Sequence, residues 1–374
     1  MVNDKDLLSF DYKKDFPLLA ANDVAYLDNS ATTQKPACVI EAERDFYFKH
    51  NANPLRGLYD LAMQATDIYE DARVAVQKFI NAKSEQEIIF TRNTTESLNL
   101  VAYSYGLANL KPGDEIVTTI MEHHSNMLPW RMVAQQTGAV VKYIECAVDG
   151  SISDEAIDAA VTEKTKIVAM AEVSNVLGRL NPIAKAIAAA HRVGAVAVID
   201  AAQSAPHMAI DVQKMGIDVL CFTGHKGLMG PQGTGGLYVR QGVKINPLKV
   251  GGSGIHSFDH DHPKAMPEHL EAGTLNVHGI AGLGGALNYL SEIGTEAIIK
   301  KERSLIKRLE DQIRDLPNIH LYGNPDSSQR VGILSFNMGD EDSAYVADWL
   351  FEEEEIAVRS GAHCAPLMHE ALGT

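Results

Sequence analysis

The chain has 374 residues, 45% of them hydrophobic and 22% charged, enough for about two domains around a large core, which excludes disordered and collagen-like chains. Its 33 Lys and Arg stand against 49 Asp and Glu, a formal charge of −16 that repels a phosphate backbone, so no nucleic-acid partner is expected. Cysteines at 38, 146, 221 and 364 show neither metal nor disulfide spacing, the start MVNDKDLLSFDYKKDF is polar, and no apolar run spans a membrane; a cytoplasmic protein without a metal is expected.

From about residue 60 the chain alternates amphipathic segments with short apolar runs, the pattern of an α/β domain with a mainly parallel sheet. Leu61, Ala65, Ile68, Ala72, Val76 and Phe79 fall at helical spacing. Seven strands are predicted at 87–90, 115–120, 140–146, 166–173, 195–200, 219–224 and 235–239, by their shortness, β-branched content and flanking Gly, Asp and Asn. Helices are expected in TTESLNLVAYSYGLAN and NPIAKAIAAAHRVG, the second with a Gly stop. Residues 245–280, rich in Gly, His and Pro, break the pattern. Two helices follow in GLGGALNYLSEIG and EAIIKKERSLIKRLEDQIRDL, and a small sheet is expected to include VGILSFNM (331–338) and EIAVRSG (355–361), with SAYVADWLFEEE between them. The acidic run Glu352 to Glu355 reads as a solvated helix end. The division expected is an N-terminal segment 1–20 packing on the small domain, a large domain 21–265 and a small C-terminal domain 266–374.

Lys226 follows directly on a strand and opens a Gly-rich loop. A lysine buried there must be paired or neutral, and a Schiff base would make it so; the alternative is a surface residue that snorkels. Asp200 ends a neighbouring strand, where parallel sheets form their ligand crevice, and either holds a pyridinium nitrogen or caps the next helix. Asn93, Thr94, Thr95 and Glu96 open a helix, as an anion site or as an ordinary N-cap. His123, just past a strand end, could stack on a flat cofactor or move protons. Cys364 lies in a Gly-containing loop with Arg359 and His363, neighbours able to activate a thiol, although it could also be an incidental loop cysteine. Cys146 and Cys221 read as strand interior, and Cys38 as structural.

Taken in order, YLDNSATTQKP, TRNTTESLNLVA, MEHHSNMLPW, VSNVLG, IDAAQS, FTGHKGLMGPQGTGGLYV, LEAGTLN and RSGAHCAPLM resemble the fold-type I, aspartate aminotransferase-like enzymes of aminotransferase class V, most of all the SufS-type (group II) cysteine desulfurases. The resemblance runs from about Tyr26 to the end of the chain. It implies pyridoxal 5'-phosphate bound at Lys226, with Asp200 on the pyridine nitrogen, Gln203 on the phenolic oxygen and His123 on the ring. It implies that Thr94, Thr95, Thr223 and His225 hold the phosphate, and that Thr274 reaches the phosphate of a partner subunit in a homodimer. Asn175 and Arg359 would meet the substrate. The implied reaction turns L-cysteine into L-alanine and a persulfide on Cys364, which a SufE- or SufU-type acceptor takes for iron–sulfur cluster assembly.

Two departures stand out. Where the family often has His-Arg-Gly-x-His, this chain has Leu55, Arg56, Gly57, Leu58 and Tyr59. Family members also continue past the cysteine loop through an arginine that clamps the substrate carboxylate, so the expectation is a shortened chain. Selenocysteine lyase and cysteine sulfinate desulfinase are the neighbouring alternatives, with L-selenocysteine as a possible substrate. A class V aminotransferase and a non-catalytic sulfur-relay scaffold are the distant ones.

Overall fold

A computed structural model describes residues 11–374 apart from Arg56, His256 and Ser257. The first ten residues of the segment expected to pack on the small domain, and Arg56, therefore lie outside the described residues. After strand β1 (Ala25–Tyr26) the seven expected central strands all form: β2 (Ile88–Thr91), β3 (Glu115–Thr119), β4 (Val140–Ile144), β5 (Thr165–Ala171), β6 (Val196–Asp200), β7 (Val219–Thr223) and β8 (Gly235–Val239). Their spatial order is β2-β8-β7-β6-β5-β3-β4. Only β8 runs antiparallel to its neighbours; every other pairing is parallel.

The sheet is buried on both faces, which is why its strands read as continuous apolar runs. Ile88 and Phe90 enter one core while Ile89 between them enters the other. Helices α2 (Asp60–Phe79), α5 (Asp154–Ala160), α6 (Ile183–Arg192) and α7 (Val277–Ile293) serve the first core, and α1 (Ala37–Asp45) packs on α7; α3 (Thr94–Val101) and α4 (Leu128–Thr137) serve the second. α7 starts five residues before its predicted segment, because Asn276 caps it by accepting from the Gly279 N–H.

The face of α2 differs from its sequence reading. Leu61 is exposed, whereas Tyr69 and Arg73 are buried. Arg73 reaches Glu271 through Nη1 at 2.9 Å and Nη2 at 3.0 Å, and its guanidinium lies over the rings of Tyr69 and Phe90. A hydrophobic count along one helix cannot register a cation whose partner is some two hundred residues away.

The expected small sheet is a correction. β10 (Ser335–Met338) pairs antiparallel with β9 (Ile319–Tyr322), whereas β11 (Ile356–Ala357) pairs in parallel with β1, so the two segments expected to share a sheet do not. β11 is only two residues long, and its free edge is taken by the Ala25 and Leu27 N–H groups, which bond the carbonyls of Glu355 and Ala357. Between these strands lie α8 (Thr295–Ile313) and α9 (Ser343–Glu354), and α10 (Pro366–Leu372) follows the cysteine loop. Glu352 to Glu355 are all exposed. Cys146 sits past the end of β4, not inside it, half-buried with its sulfur 3.9 Å from that of Met368. In the described part of the N-terminal segment, Asp15 accepts from the Tyr289 hydroxyl at 2.9 Å and Phe16 packs edge-on against the Tyr289 ring.

Candidate active site

The chain passes from β3 out to β4 on one side and then through β5, β6 and β7 on the other. The reversal at β3 and β5 leaves a crevice at the carboxyl ends of these strands. A cavity of about 220 Å³ opens there. Its lining includes nine of the predicted site residues: Thr94 and Thr95 from the start of α3, His123 after β3, Asn175 after β5, Asp200 and Gln203 at the end of β6, and Thr223, His225 and Lys226 at the end of β7.

Lys226 is half-buried, and burial holds its amine below the usual lysine range, with Arg359 pushing the same way and the negative charges of Asp200 and Cys364 opposing. Asp200 is 5% exposed; burial raises its carboxyl, while the Ala202 N–H, 2.8 Å from Oδ1, and the Lys226 charge favour the ionised form. The cavity thus has an amine and a buried carboxylate at its floor.

Another part of the lining is suited to an anion. Thr94 and Thr223 are buried, and among the described residues their hydroxyl oxygens have no hydrogen-bond partner. They stand with the first turn of α3, whose leading N–H groups have no partner within the helix. Thr95 Oγ1 lies 2.7 Å from Ser125 Oγ. Orphaned hydroxyls at a helix start, sharing one cavity with a carboxylate and a lysine, fit a ligand that carries both a phosphate and a carbonyl.

His123 and His225 flank this space. Burial lowers His123 to about 4, helped by the charges of Lys226, His124 and Arg359, and lowers His225 to about 4, helped by Lys226 and Lys35. Nδ1 of His123 accepts from the Ser125 N–H at 3.1 Å, so the neutral ring carries its proton on Nε2. Gln203 donates to the Ser30 carbonyl at 2.9 Å.

Three predicted site residues do not line the cavity: Thr274, Arg359 and Cys364 are exposed. The cysteine loop nevertheless leans on the cavity wall. Asn175 Nδ2 donates to the His363 carbonyl at 2.8 Å, and the His124 N–H donates to the Cys364 carbonyl at 2.7 Å. These bonds hold His363 and Cys364 at φ of 48° and 56°, a left-handed conformation that costs non-glycine residues of the order of 1 kcal/mol each.

Asn93, read with Thr94 and Thr95 as part of a candidate anion site, also lines the cavity, whereas sequence reading missed two polar residues that line or brace it: Ser125 lines it, and Glu122 lies buried behind it, accepting from Thr119 Oγ1 at 2.7 Å, Asn126 Nδ2 at 2.6 Å and the Ala171 N–H at 3.0 Å. Burial raises the Glu122 carboxyl to about 8 against these donors. Its signal was its place beside His123 in MEHHSNMLPW, but only the packing shows that it ties β3 to β5.

The aminotransferase class-V family model matches residues 25–373. A probable cysteine desulfurase of Halalkalibacterium halodurans is 46% identical over 95% of this chain and 89% of its own length. A cysteine desulfurase of an Enterobacter species is 42% identical, over 96% of this chain and 91% of its own length. The apo structure of the cysteine desulfurase of Thermococcus onnurineus superimposes with a TM-score of 0.92 at 38% identity, covering all of this chain and 91% of that one. With the fold, the cavity and these likenesses in agreement, the chain belongs to the aminotransferase class-V family, among the pyridoxal phosphate-dependent cysteine desulfurases.

Proposed function

We propose that the chain takes sulfur from L-cysteine, releasing L-alanine and leaving a persulfide on Cys364. One observation carries this reading: the exposed Cys364 loop is pinned by its backbone to Asn175 and His124, beside the cavity that holds Lys226 and Asp200. A thiol held at the mouth of such a cavity can reach a substrate sulfur, where an ordinary transaminase needs none.

The cavity residues divide the work. Lys226 would hold the aldehyde carbon of pyridoxal phosphate, Asp200 its ring nitrogen and Gln203 its phenolic oxygen, with His123 against the ring and Thr94, Thr95, Thr223 and His225 around its phosphate. Bound there, the cofactor supplies a sink for the electron pair left when the substrate Cα loses its proton. The Lys226 amine, held below the usual lysine range by its burial, would take that proton. The Cys364 thiolate then attacks the substrate sulfur. An S–S bond forms, the Cβ–S bond breaks with its electron pair passing to Cβ, and a proton taken up at Cβ, followed by return of the Lys226 proton to Cα, completes alanine. Asn175 and Arg359 would orient the substrate.

The finer reading is a SufS-type homodimer that passes its persulfide to a SufE- or SufU-type acceptor for iron–sulfur cluster assembly. Exposure of Thr274, away from the cavity of its own chain, supports a role in the partner's site. We place the domain division at 21–265 and 266–374, with residues 1–20 on the second unit; the contacts of Asp15 and Phe16 with Tyr289 support the last point. The test is alanine release from L-cysteine by the protein reconstituted with pyridoxal phosphate, under a reductant, beside Cys364→Ala. Release that stops with the substitution is expected; equal release overturns the role of Cys364.

A further inference from the structure

Behind the turn that carries Lys226 lies a cation that the reaction does not use. Lys35 is half-buried, and its Nζ donates to the Thr33 carbonyl at 2.5 Å, to Thr33 Oγ1 at 3.2 Å and to the His225 carbonyl at 3.2 Å. Thr33 Oγ1 in turn donates to the Lys226 carbonyl at 2.7 Å, and the Thr33 N–H donates to the His225 carbonyl at 3.0 Å. One ammonium therefore grips both consecutive peptides of the His225–Lys226 turn, one directly and one through a hydroxyl. Charge-assisted bonds of this kind are about twice as strong as neutral ones.

We propose that Lys35 is a positioning residue that fixes the His225–Lys226 backbone, and with it the aim of the Lys226 amine and the His225 ring, for cofactor capture. This rests on the reading of the cavity as the pyridoxal phosphate site. Salt bridges on the surface turn over readily; a half-buried ammonium with three oxygen acceptors does not. The other charged or titratable groups that face it are Glu43 on α1, which favours its charge, and His225, with Lys226 the next residue along the facing turn. Burial brings the Lys35 amine down to about 8, so it is mostly charged at neutral pH and loses its charge on moderate alkalinisation. Arginine at this position would keep its charge throughout.

The test is a titration of each full-length apo protein with pyridoxal phosphate, followed by cofactor absorbance, with apo melting temperatures measured in parallel. Lys35→Met is expected to weaken cofactor binding roughly tenfold, and Lys35→Arg to restore most of it. Across pH 7 to 9.5 the wild-type protein is expected to lose affinity more steeply than Lys35→Arg. Thr33→Val, which removes the relay and leaves the ammonium, is expected to weaken binding as well and serves if Lys35→Met proves unstable. Affinity unchanged in both Lys35→Met and Thr33→Val overturns the proposal, as does a loss in Lys35→Met matched by the same loss in Lys35→Arg with parallel pH profiles. Failure of the wild-type protein to bind the cofactor overturns instead the cavity reading on which it rests.

Discussion

Gly227 offers the sharpest perturbation of the site, because it adjoins Lys226 without being a catalytic group. A Cβ added there would lie 2.6 Å from the Ala205 carbonyl oxygen, 2.6 Å from His207 Nε2 and 2.7 Å from Pro206 Cδ. The imidazole can turn away, but the carbonyl and the proline ring belong to the backbone that follows Asp200. An ordinary carbon–oxygen contact needs about 3.3 Å, so Gly227→Ala forces the Lys226 turn away from β6 by roughly 0.7 Å. Overpacking of this size costs about 1–3 kcal/mol. For a chain of this length that lowers the melting temperature by about 1–4 °C. The effect on turnover is larger than on stability, because a displacement approaching 1 Å at a reacting group costs about a hundredfold. The variant should therefore stay folded and release alanine about a hundred times more slowly, as read by a coupled assay beside differential scanning calorimetry. Wild-type turnover in Gly227→Ala would show that the Lys226 turn is not held against residues 205–207 as described.

Other outcomes follow from the same geometry. Asp200→Asn should cut alanine release by about two to three orders of magnitude while the protein still takes up cofactor, since a buried charge opposite the developing negative charge is lost; steady-state rates and absorbance spectra check both. Arg73→Met strands Glu271 in the core and should cost about 3–5 kcal/mol in urea unfolding. His123 and His225 have folded-state values of about 4 against about 6.5 when unfolded, so the unfolded chain binds more protons between these limits and stability falls as pH drops through that window. Each should contribute of the order of 1 kcal/mol between pH 7 and pH 5, after allowance for solvent screening; urea midpoints at the two pH values, with His123→Gln as control, measure it. No inflection near pH 6.5 should arise from His123 in a pH–rate profile.

All seven central strands were legible because a sheet covered on both faces needs unbroken apolar runs, and the Gly, Asp and Asn at their ends mark where they stop. α9 was legible to the residue, because Asp342 caps its start and Glu355 leaves it in a left-handed conformation. Membership of the small sheets was not legible: two-residue strands such as β1 and β11 carry almost no pattern, and their pairing depends on where the rest of the chain brings their edges.

The same division runs through the site. Local order alone indicated that Lys226, Asp200, His123 and Thr94 stand at ends of strands or starts of helices, because strand ends, caps and glycines are properties of neighbours in sequence. Tertiary structure alone decided that Glu122 braces two strands, that Arg73 belongs to Glu271, that Asn175 and His124 hold the Cys364 loop, and that Lys35 grips the turn of Lys226. Each of these is a bond between residues far apart in the chain. Burial and hydrogen-bond partners arise only when distant segments meet, and no local spacing records them.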